Sequence, residues 1–124
     1  MARTIPVYIN VDTITSASIS DGSETAAASI TTNSGAVADG LLWGVHGKLS
    51  STAGAVIVRV YDSESKVSEL YKVTLDYSGS VTNASDLMTS AIPLFENPAF
   101  TIEGDATSAS KTCNLTFYIQ AISY

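Results

Sequence analysis

The sequence predicts an all-β protein, an antiparallel β-sandwich of about eight strands with a jelly-roll-like arrangement. Apolar side chains recur at every second position along most of the chain, which is the period of a strand. About eight such stretches follow one another, joined by turns rich in Gly, Ser, Asp and Asn. No helical periodicity separates them, which leaves no room for the crossover helices of a parallel sheet. A sandwich of this size is most often a jelly roll or a Greek key, and chain length does not separate the two.

The N-terminal part predicts two strands and one ambiguous segment. Residues 1–12 alternate strictly and are expected to form an extended strand or arm. One face of that strand carries Ile5, Val7, Ile9 and Val11. Residues 14–19 predict a short strand that ends at a turn over residues 20–23. Residues 26–32 contain three alanines that are compatible with a helix start, but the flanking Thr and Ile residues favour a strand.

The middle of the chain gives the strongest hairpin signal. A strand is predicted over residues 41–50, and its core face is expected to carry Leu41, Trp43, Val45 and Leu49. After a turn at residues 51–54, the returning strand points three valines inward: Val56, Val58 and Val60. Arg59 and Tyr61 face away from them.

The next apolar stretch has period two but contains one irregularity. Its core positions are Val67, Tyr71, Val73, Leu75 and Tyr77. Glu69 falls in phase with these residues and Leu70 falls out of phase, which predicts a bulge or a partly exposed start. The polar residues 78–86 predict a loop, and residues 87–88 predict a brief helical turn or connector.

The C-terminal part predicts a closing hairpin. Phe100 and Ile102 mark one strand, residues 104–110 form the turn, and residues 112–124 form the most regular strand of the protein. Cys113 shares the core phase of this strand. It is the only cysteine in the chain, so we expect a buried and chemically inert thiol.

Composition and charge exclude several classes of protein. The chain has 124 residues, of which 45% are hydrophobic and only 15% charged, and we expect one domain over residues 1–124. Twelve acidic residues against six basic ones give a net charge of -6, which opposes nucleic-acid binding. No stretch has the pattern of a signal peptide or a membrane helix, so the sequence predicts a protein made in the cytoplasm without membrane contact.

The usual chemistry of active sites is missing from the sequence. The single histidine, His46, lies between glycines in a strand and is interpreted as structural, while Gly44 and Gly47 predict a bulge or a close backbone approach. One Cys and one His are too few for zinc. Acidic turns near residues 21–24, 62–64 and 103–105 are interpreted as solvated turns in preference to calcium sites. We therefore expect no enzyme activity and no cofactor.

One segment of the sequence carries a family resemblance. Residues 91–106 read AIPLFENPAFTIEGDA, and residues 113–119 read CNLTFYI after a short polar spacer. This part resembles the closing hairpin of small jelly-roll decoration or cement proteins on the capsids of tailed bacteriophages. The resemblance implies a structural virion protein that docks on the major capsid protein at the capsid surface, commonly as a homotrimer, and stabilises the shell.

Six residues are predicted to form interfaces. Tyrosine and arginine are enriched in protein interfaces, and strand alternation or a terminal position places these six outside the predicted core. The residues are Arg3, Tyr8, Arg59, Tyr61, Tyr118 and Tyr124. The alternative hypothesis is a carbohydrate-binding or receptor-binding β-sandwich module, which needs exposed aromatic rings. It is disfavoured by the prediction that the only tryptophan, Trp43, lies in the core.

Overall fold

The computed structural model of the chain consists of eight strands in two antiparallel four-stranded sheets. It describes residues 3–26, 40–51, 54–63, 65–79, 81–94 and 98–123, with the backbone alone for residues 3–18 and 121–123. The strands are β1 (Arg3–Ser18), β2 (Thr25–Ala26), β3 (Gly40–Leu49), β4 (Ala55–Tyr61), β5 (Glu69–Asp76), β6 (Asn83–Leu94), β7 (Ala99–Gly104) and β8 (Thr112–Ser123). The predicted all-β sandwich is confirmed. Within these residues no helix is long and apolar enough to cross a bilayer.

The strand order pairs the first half of the chain with the second. The first sheet has the order β1-β8-β3-β6, and the second has the order β2-β7-β4-β5. Thus β1 pairs with β8, β2 with β7, β3 with β6 and β4 with β5, all antiparallel. A single long hairpin that rolls up on itself would produce these four pairs. β6 and β5 are the edge strands at one side of the sandwich.

The core lies between the two sheets and is built from the alternating positions of their strands. Val56, Val58 and Val60 are fully buried, as the sequence predicts. Phe100 of β7 and Phe117 of β8 meet across the core with ring centroids 4.5 Å apart and an interplanar angle of 55°. Burying these apolar side chains is the main driving force that holds the sheets together.

Two tyrosines tie the sheets together by hydrogen bonds as well as by packing. Tyr71 and Tyr77 are buried, as predicted. The Tyr77 hydroxyl donates to the Gly47 carbonyl at 2.8 Å, and the Tyr71 hydroxyl donates to Asp86 Oδ2 at 2.5 Å. Burial raises the pKa of both phenols well above the usual value, because the charged form would lose its hydration.

The glycines of β3 mark a bulge and a close contact, as predicted. The register of β3 against both neighbours shifts between Leu42 and Gly44. A Cβ on Gly44 would collide with the Asp86 carbonyl, and a Cβ on Gly47 would collide with the Tyr77 hydroxyl. Both positions therefore require glycine for space, not for an unusual backbone angle.

The bulge makes the predicted core face of β3 wrong in its first half. Leu42, Val45 and Leu49 are buried, whereas Leu41 and Trp43 lie on the outer side and are partly exposed. The extra residue at the bulge reverses the alternation between Leu42 and Val45. Counting every second residue back from Val45 therefore assigns Trp43 and Leu41 to the core, although both are partly exposed.

β6 contradicts the predicted loop and helical turn. Asn83–Leu94 is a 12-residue strand, so the predicted loop over residues 78–86 is wrong for residues 83–86, and the predicted helical turn at residues 87–88 is wrong. The described residues between 78 and 82 lie outside the strands, as predicted. Asn and Asp are depleted in strands, and here pairing with β3 overrides that preference. Backbone hydrogen bonding to a neighbouring strand is not visible in local composition.

The remaining predictions have mixed outcomes. The bulge near Glu69 is confirmed by a register shift opposite Val60 and Tyr61, but Val67 is 78% exposed and not in the core. Val67 precedes β5 and lies in the connecting loop, so strand alternation does not apply to it. The predicted separate strand over residues 14–19 is wrong, because β1 runs without a break from Arg3–Ser18. The predicted N-terminal strand is part of the first sheet, where it pairs with β8.

Candidate functional site

The outer surface of the first sheet presents a cluster of apolar and aromatic side chains, which we call the aromatic face. It comprises Leu41 and Trp43 of β3, Leu87 of β6 and Tyr118 of β8. Their neighbours along each strand, including Leu42, Phe117 and Ile119, are buried in the core. Strand alternation therefore directs the four side chains of the aromatic face outward.

One row of residues runs straight across three strands of this face. Gly44 pairs with Leu87 on one side and with Tyr118 on the other. A Cβ on Gly44 would approach Leu87 Cδ2 to 3.0 Å, so the Leu87 side chain leans over the space above the glycine. Leu87 nevertheless remains 70% exposed. The row leaves a large apolar side chain in solvent beside a half-buried tyrosine.

Two side-chain contacts orient the polar groups around the aromatic face. Trp43 Nε1 donates to Gln120 Oε1 at 2.9 Å, which holds the indole against β8. His46 Nε2 lies 3.2 Å from Asn83 Oδ1. The interpretation of His46 as a structural residue outside the core agrees with this position. The ring of Trp43 is held by a hydrogen bond and is partly exposed, in contrast to its predicted core placement.

The aromatic face carries almost no charge. Among the described side chains of β3, β6 and β8, Lys48 is the only charged group that faces outward. Asp86 of β6 pairs with buried Val45 and points toward Tyr71 of the second sheet. The described acidic side chains of the second sheet and its adjoining loops are Asp21, Glu24, Asp62, Glu69, Asp76, Glu103 and Asp105. Negative charge is thus concentrated away from the aromatic face.

The outer surface of the second sheet presents an ionic network, which we call the charged face. Arg59 of β4 lies at its centre and is only 15% exposed. Its guanidinium is 2.7 Å from Glu103, 3.2 Å from Glu69 and 3.7 Å from Glu24, measured between nitrogen and carboxylate oxygen. The hydrogen bond from Arg59 to Glu103 raises the pKa of the arginine further above its usual value. One cation here serves three carboxylates.

Glu24 connects this network to the segment that precedes β2. Its Oε1 accepts hydrogen bonds from the hydroxyls of Tyr61 at 2.5 Å and Thr101 at 2.7 Å. These contacts lower the pKa of Glu24, with the bond from Tyr61 as the largest cause. The same bond raises the pKa of Tyr61 to about 12. Thr101 is completely buried although it pairs with outward-facing Arg59.

Several carboxylates of the acidic turns that were considered as calcium sites are bonded within the protein. Asp105 accepts from the backbone amides of Thr107 and Ser108 and from the Thr107 hydroxyl, and the last of these lowers the Asp105 pKa most. Asp62 accepts from the Ser68 amide at 3.0 Å. In the described ranges there is no group of three His, Cys, Asp or Glu residues suited to a metal ion. These bonds identify Asp62 and Asp105 as turn-stabilising residues.

Cys113 is buried, as predicted. It lies in β8 opposite Leu49, and burial raises the pKa of its thiol to about 11. A thiol with a raised pKa holds little thiolate at neutral pH and is therefore a poor nucleophile.

The predicted interface residues fall into four groups. Arg59 and Tyr61 lie together on the charged face, and Tyr118 lies on the opposite surface of the sandwich. Arg3 and Tyr8 belong to β1, where only the backbone is described, and Arg3 pairs with Ser123. Tyr124 lies outside the described residues. The structure thus separates Tyr118 from the Arg59 and Tyr61 pair.

The structure adds residues that the sequence interpretation missed. Trp43, Leu41 and Leu87 complete the aromatic face, and Glu24 is the centre of hydrogen bonding on the charged face. The glycine pair around Val45 and His46 was the available signal for the bulge that exposes Trp43. No local signal marks Glu24, because its partners are distant in sequence.

Comparison with known proteins provides no family assignment. No protein-family model matches the chain, and a search of curated proteins finds no match.

Proposed function

We propose that the protein is a non-enzymatic structural protein, a decoration protein that binds the assembled shell of the major capsid protein in a bacteriophage head. The observation that carries this proposal is the aromatic face. It combines half-buried Trp43 and Tyr118 with the 70% exposed Leu87, and Lys48 is its only outward charge among the described side chains. Aromatic residues with few charges characterise the central parts of protein interfaces.

The strand order supports the jelly-roll assignment that links the chain to such proteins. Pairing of β1 with β8, β2 with β7, β3 with β6 and β4 with β5 is what two nested Greek keys would produce. The resemblance of residues 91–119 to the closing hairpin of capsid decoration proteins points the same way. A fold supports many functions, so the aromatic face and not the topology carries the argument.

The difference in charge between the two outer surfaces indicates how the protein would be oriented on the shell. The aromatic face contacts the shell, because burying this face desolvates few charged groups and therefore costs little free energy. The charged face, with its acidic excess, points outward from the virion surface. Binding only to assembled shells would stabilise them by linkage, since free subunits lack the complete binding surface. The homotrimer that the resemblance implies stays a prediction.

The test is to mix the purified protein with undecorated shells assembled from the major capsid protein of the phage that encodes it. We expect co-sedimentation and an increase in the temperature at which the shells disrupt. Tyr118→Asp places a charge on the aromatic face and should abolish binding, whereas Thr74→Asp, at an exposed position of the other sheet, should preserve it. Equal melting temperatures of the two variants would exclude misfolding. Absence of binding by the unmodified protein would refute the proposal.

Carbohydrate binding is the second candidate function, and the position of Trp43 favours it. An indole fixed by Gln120 and flanked in the sheet by Tyr118 offers apolar rings beside hydrogen-bonding groups. Sugar rings stack on such surfaces through their C–H faces. A glycan array tests this directly: saturable binding that Trp43→Ala abolishes would favour the module over the capsid protein. Under the capsid proposal we expect no glycan signal.

A further inference from the structure

The β6 edge of the first sheet is available for pairing with another strand. β6 stands at the end of the order β1-β8-β3-β6, so β3 is its only partner among the strands that the structure describes. An edge strand of this length exposes a row of backbone donors and acceptors. We propose that this edge pairs with β6 of a second copy of the chain, as antiparallel strands around a two-fold axis at Ser85.

The hydrogen-bond pattern identifies the backbone groups that face the free edge. The Leu49 amide donates to the Thr82 carbonyl at 2.8 Å, so this opposed pair is hydrogen-bonded. Bonded and non-bonded pairs alternate along an antiparallel ladder. The non-bonded pairs in this register are therefore Lys48 with Asn83, His46 with Ser85 and Gly44 with Leu87. The N–H and C=O groups of Asn83, Ser85 and Leu87 consequently point away from β3.

These three positions are symmetric about Ser85. When a second β6 approaches in the antiparallel direction, Ser85 opposes Ser85 of the other copy, and Asn83 opposes Leu87. All three opposed pairs use outward groups and can form about six hydrogen bonds in total. The same edge therefore complements itself, which is the requirement for an isologous two-fold interface.

β6 also lacks the exposed charges of β5, which is the neighbouring edge strand in the second sheet. β5 carries Glu69, Lys72 and Asp76, all exposed. Exposed charges of this kind discourage pairing between edges. The single ionisable side chain of β6, Asp86, is turned inward and bonded to Tyr71. Pro93 lies near the far end of the strand and leaves residues 83–88 open.

Charge distribution favours this edge as the meeting point of two copies. Each chain has a net charge of -6, and its described acidic side chains lie mainly on the second sheet. Contact through β6 brings together edge strands whose one acidic side chain, Asp86, is turned inward. β5 lies on the same side of the sandwich, so its exposed Glu69 and Asp76 add repulsion across the interface. We therefore expect the dimer to strengthen as salt screens that repulsion.

The inference goes beyond the proposed function, because it gives a two-fold dimer where the family resemblance implies a homotrimer, and it is tested separately from shell binding. Light scattering after size exclusion should give twice the 12.9 kDa mass of the chain, with a larger dimer fraction at high salt. Ser85→Pro removes one outward N–H without interrupting the bonds to β3 and should return the mass to that of the monomer. Ser85→Val keeps the N–H and should remain dimeric.

Cysteine cross-linking tests the two-fold axis. Opposed residues in a hydrogen-bonded antiparallel pair have Cα atoms about 5.5 Å apart, within the range of a disulfide. Under mild oxidation, Ser85→Cys should form a covalent dimer, whereas Thr74→Cys, on the outward side of the β5 edge, should not. Thr74 is the matched control because its backbone N–H and C=O also point to a free edge. The Tyr77 amide donates to the Gly54 carbonyl, so alternation along the ladder makes Ile57 and Thr74 a non-bonded pair.

The possible outcomes separate this inference from the proposed function. A monomer or a trimer in solution, or equal cross-linking of the two cysteine variants, overturns the β6 dimer and leaves shell binding intact. If Ser85→Pro reduces shell binding while the unmodified protein is monomeric, the edge binds a strand of another protein, which also overturns the dimer. A dimer that fails to bind shells refutes the proposed function alone.

Discussion

The two outer surfaces of the sandwich have the same backbone architecture but opposite chemistry. The charged face places Arg59 among Glu24, Glu69 and Glu103, whereas the aromatic face exposes Leu87 and holds Trp43 half-buried. Ionic groups on the charged face already have partners within the chain. Among the described residues, nothing covers the exposed surface of Leu87 on the aromatic face. The difference indicates which surface contributes to the protein's own stability and which to association.

The largest effect is expected where the two sheets meet. Gly47→Val should reduce the free energy of unfolding by about 3 kcal/mol, because the new side chain would overpack the core. A Cβ at this position would lie 3.1 Å from Leu75 Cδ1 and 3.2 Å from Cys113 Sγ, and closer still to the Tyr77 hydroxyl. Urea unfolding measures the change. Lys48→Val, at the adjacent exposed position, is the control and should differ from the unmodified protein by less than about 0.5 kcal/mol.

Removing the cation of the charged face tests whether that surface stabilises the fold. Arg59→Ala leaves Glu24, Glu69 and Glu103 close together without their shared partner. We expect a loss of about 1 to 2 kcal/mol, between the values for exposed and buried ion pairs. Lys48→Ala removes the outward cation of the aromatic face and should have almost no effect. Equal losses for both variants in chemical denaturation would contradict the contrast between the surfaces.

The charged face should also make stability depend on acid. The folded pKa of Glu24 is lower than its usual value near 4.5, so its contribution is present above pH 4.5 and is lost as the pH falls through the folded pKa. Glu24→Gln should flatten this part of the stability profile between about pH 5 and pH 2. Thermal melting across this range provides the measurement. Thr74→Gln, at an exposed position that carries no ionisable group, is the control and should keep the unmodified profile.

The smallest effect on stability is expected at the aromatic face. Leu87→Ser should change the free energy of unfolding by less than about 0.5 kcal/mol, because the side chain is already 70% exposed. The same substitution should weaken binding to capsid shells, measured by co-sedimentation. A large loss of stability would show that Leu87 supports the fold and would remove it from the proposed docking surface.

The alternation of apolar and polar residues predicted most of the strands. It failed where pairing with a neighbouring strand decides which residues are buried or whether a segment is a strand at all. Val56, Val58 and Val60 form a regular strand with one buried face, and they were predicted correctly. In β3 the bulge at Gly44 reverses the faces, so Leu42 is buried in place of Leu41. Residues 83–86 of β6 were predicted as part of a loop because they are mostly polar, although each of them pairs with β3.

The candidate surfaces were predictable only in part. Arg59 and Tyr61 were selected because alternation directs them away from the valines of β4, and they do lie outside the core. Their common partner Glu24 is 37 residues from Tyr61 in sequence and lies close to it only in the folded chain. Tyr118 was selected by the same reasoning, but its neighbours Leu87 and Trp43 come from other strands and depend on register.

By itself, the sequence determined the all-β class, the buried valines of β4 and the inert environment of Cys113, because each depends on the two-residue period of a single strand. The tertiary structure alone decided the order of the strands, the outward position of Trp43 and the strand identity of β6. These features arise from hydrogen bonds and close packing between segments distant in the chain. Such contacts depend on the register between strands, which local composition does not encode.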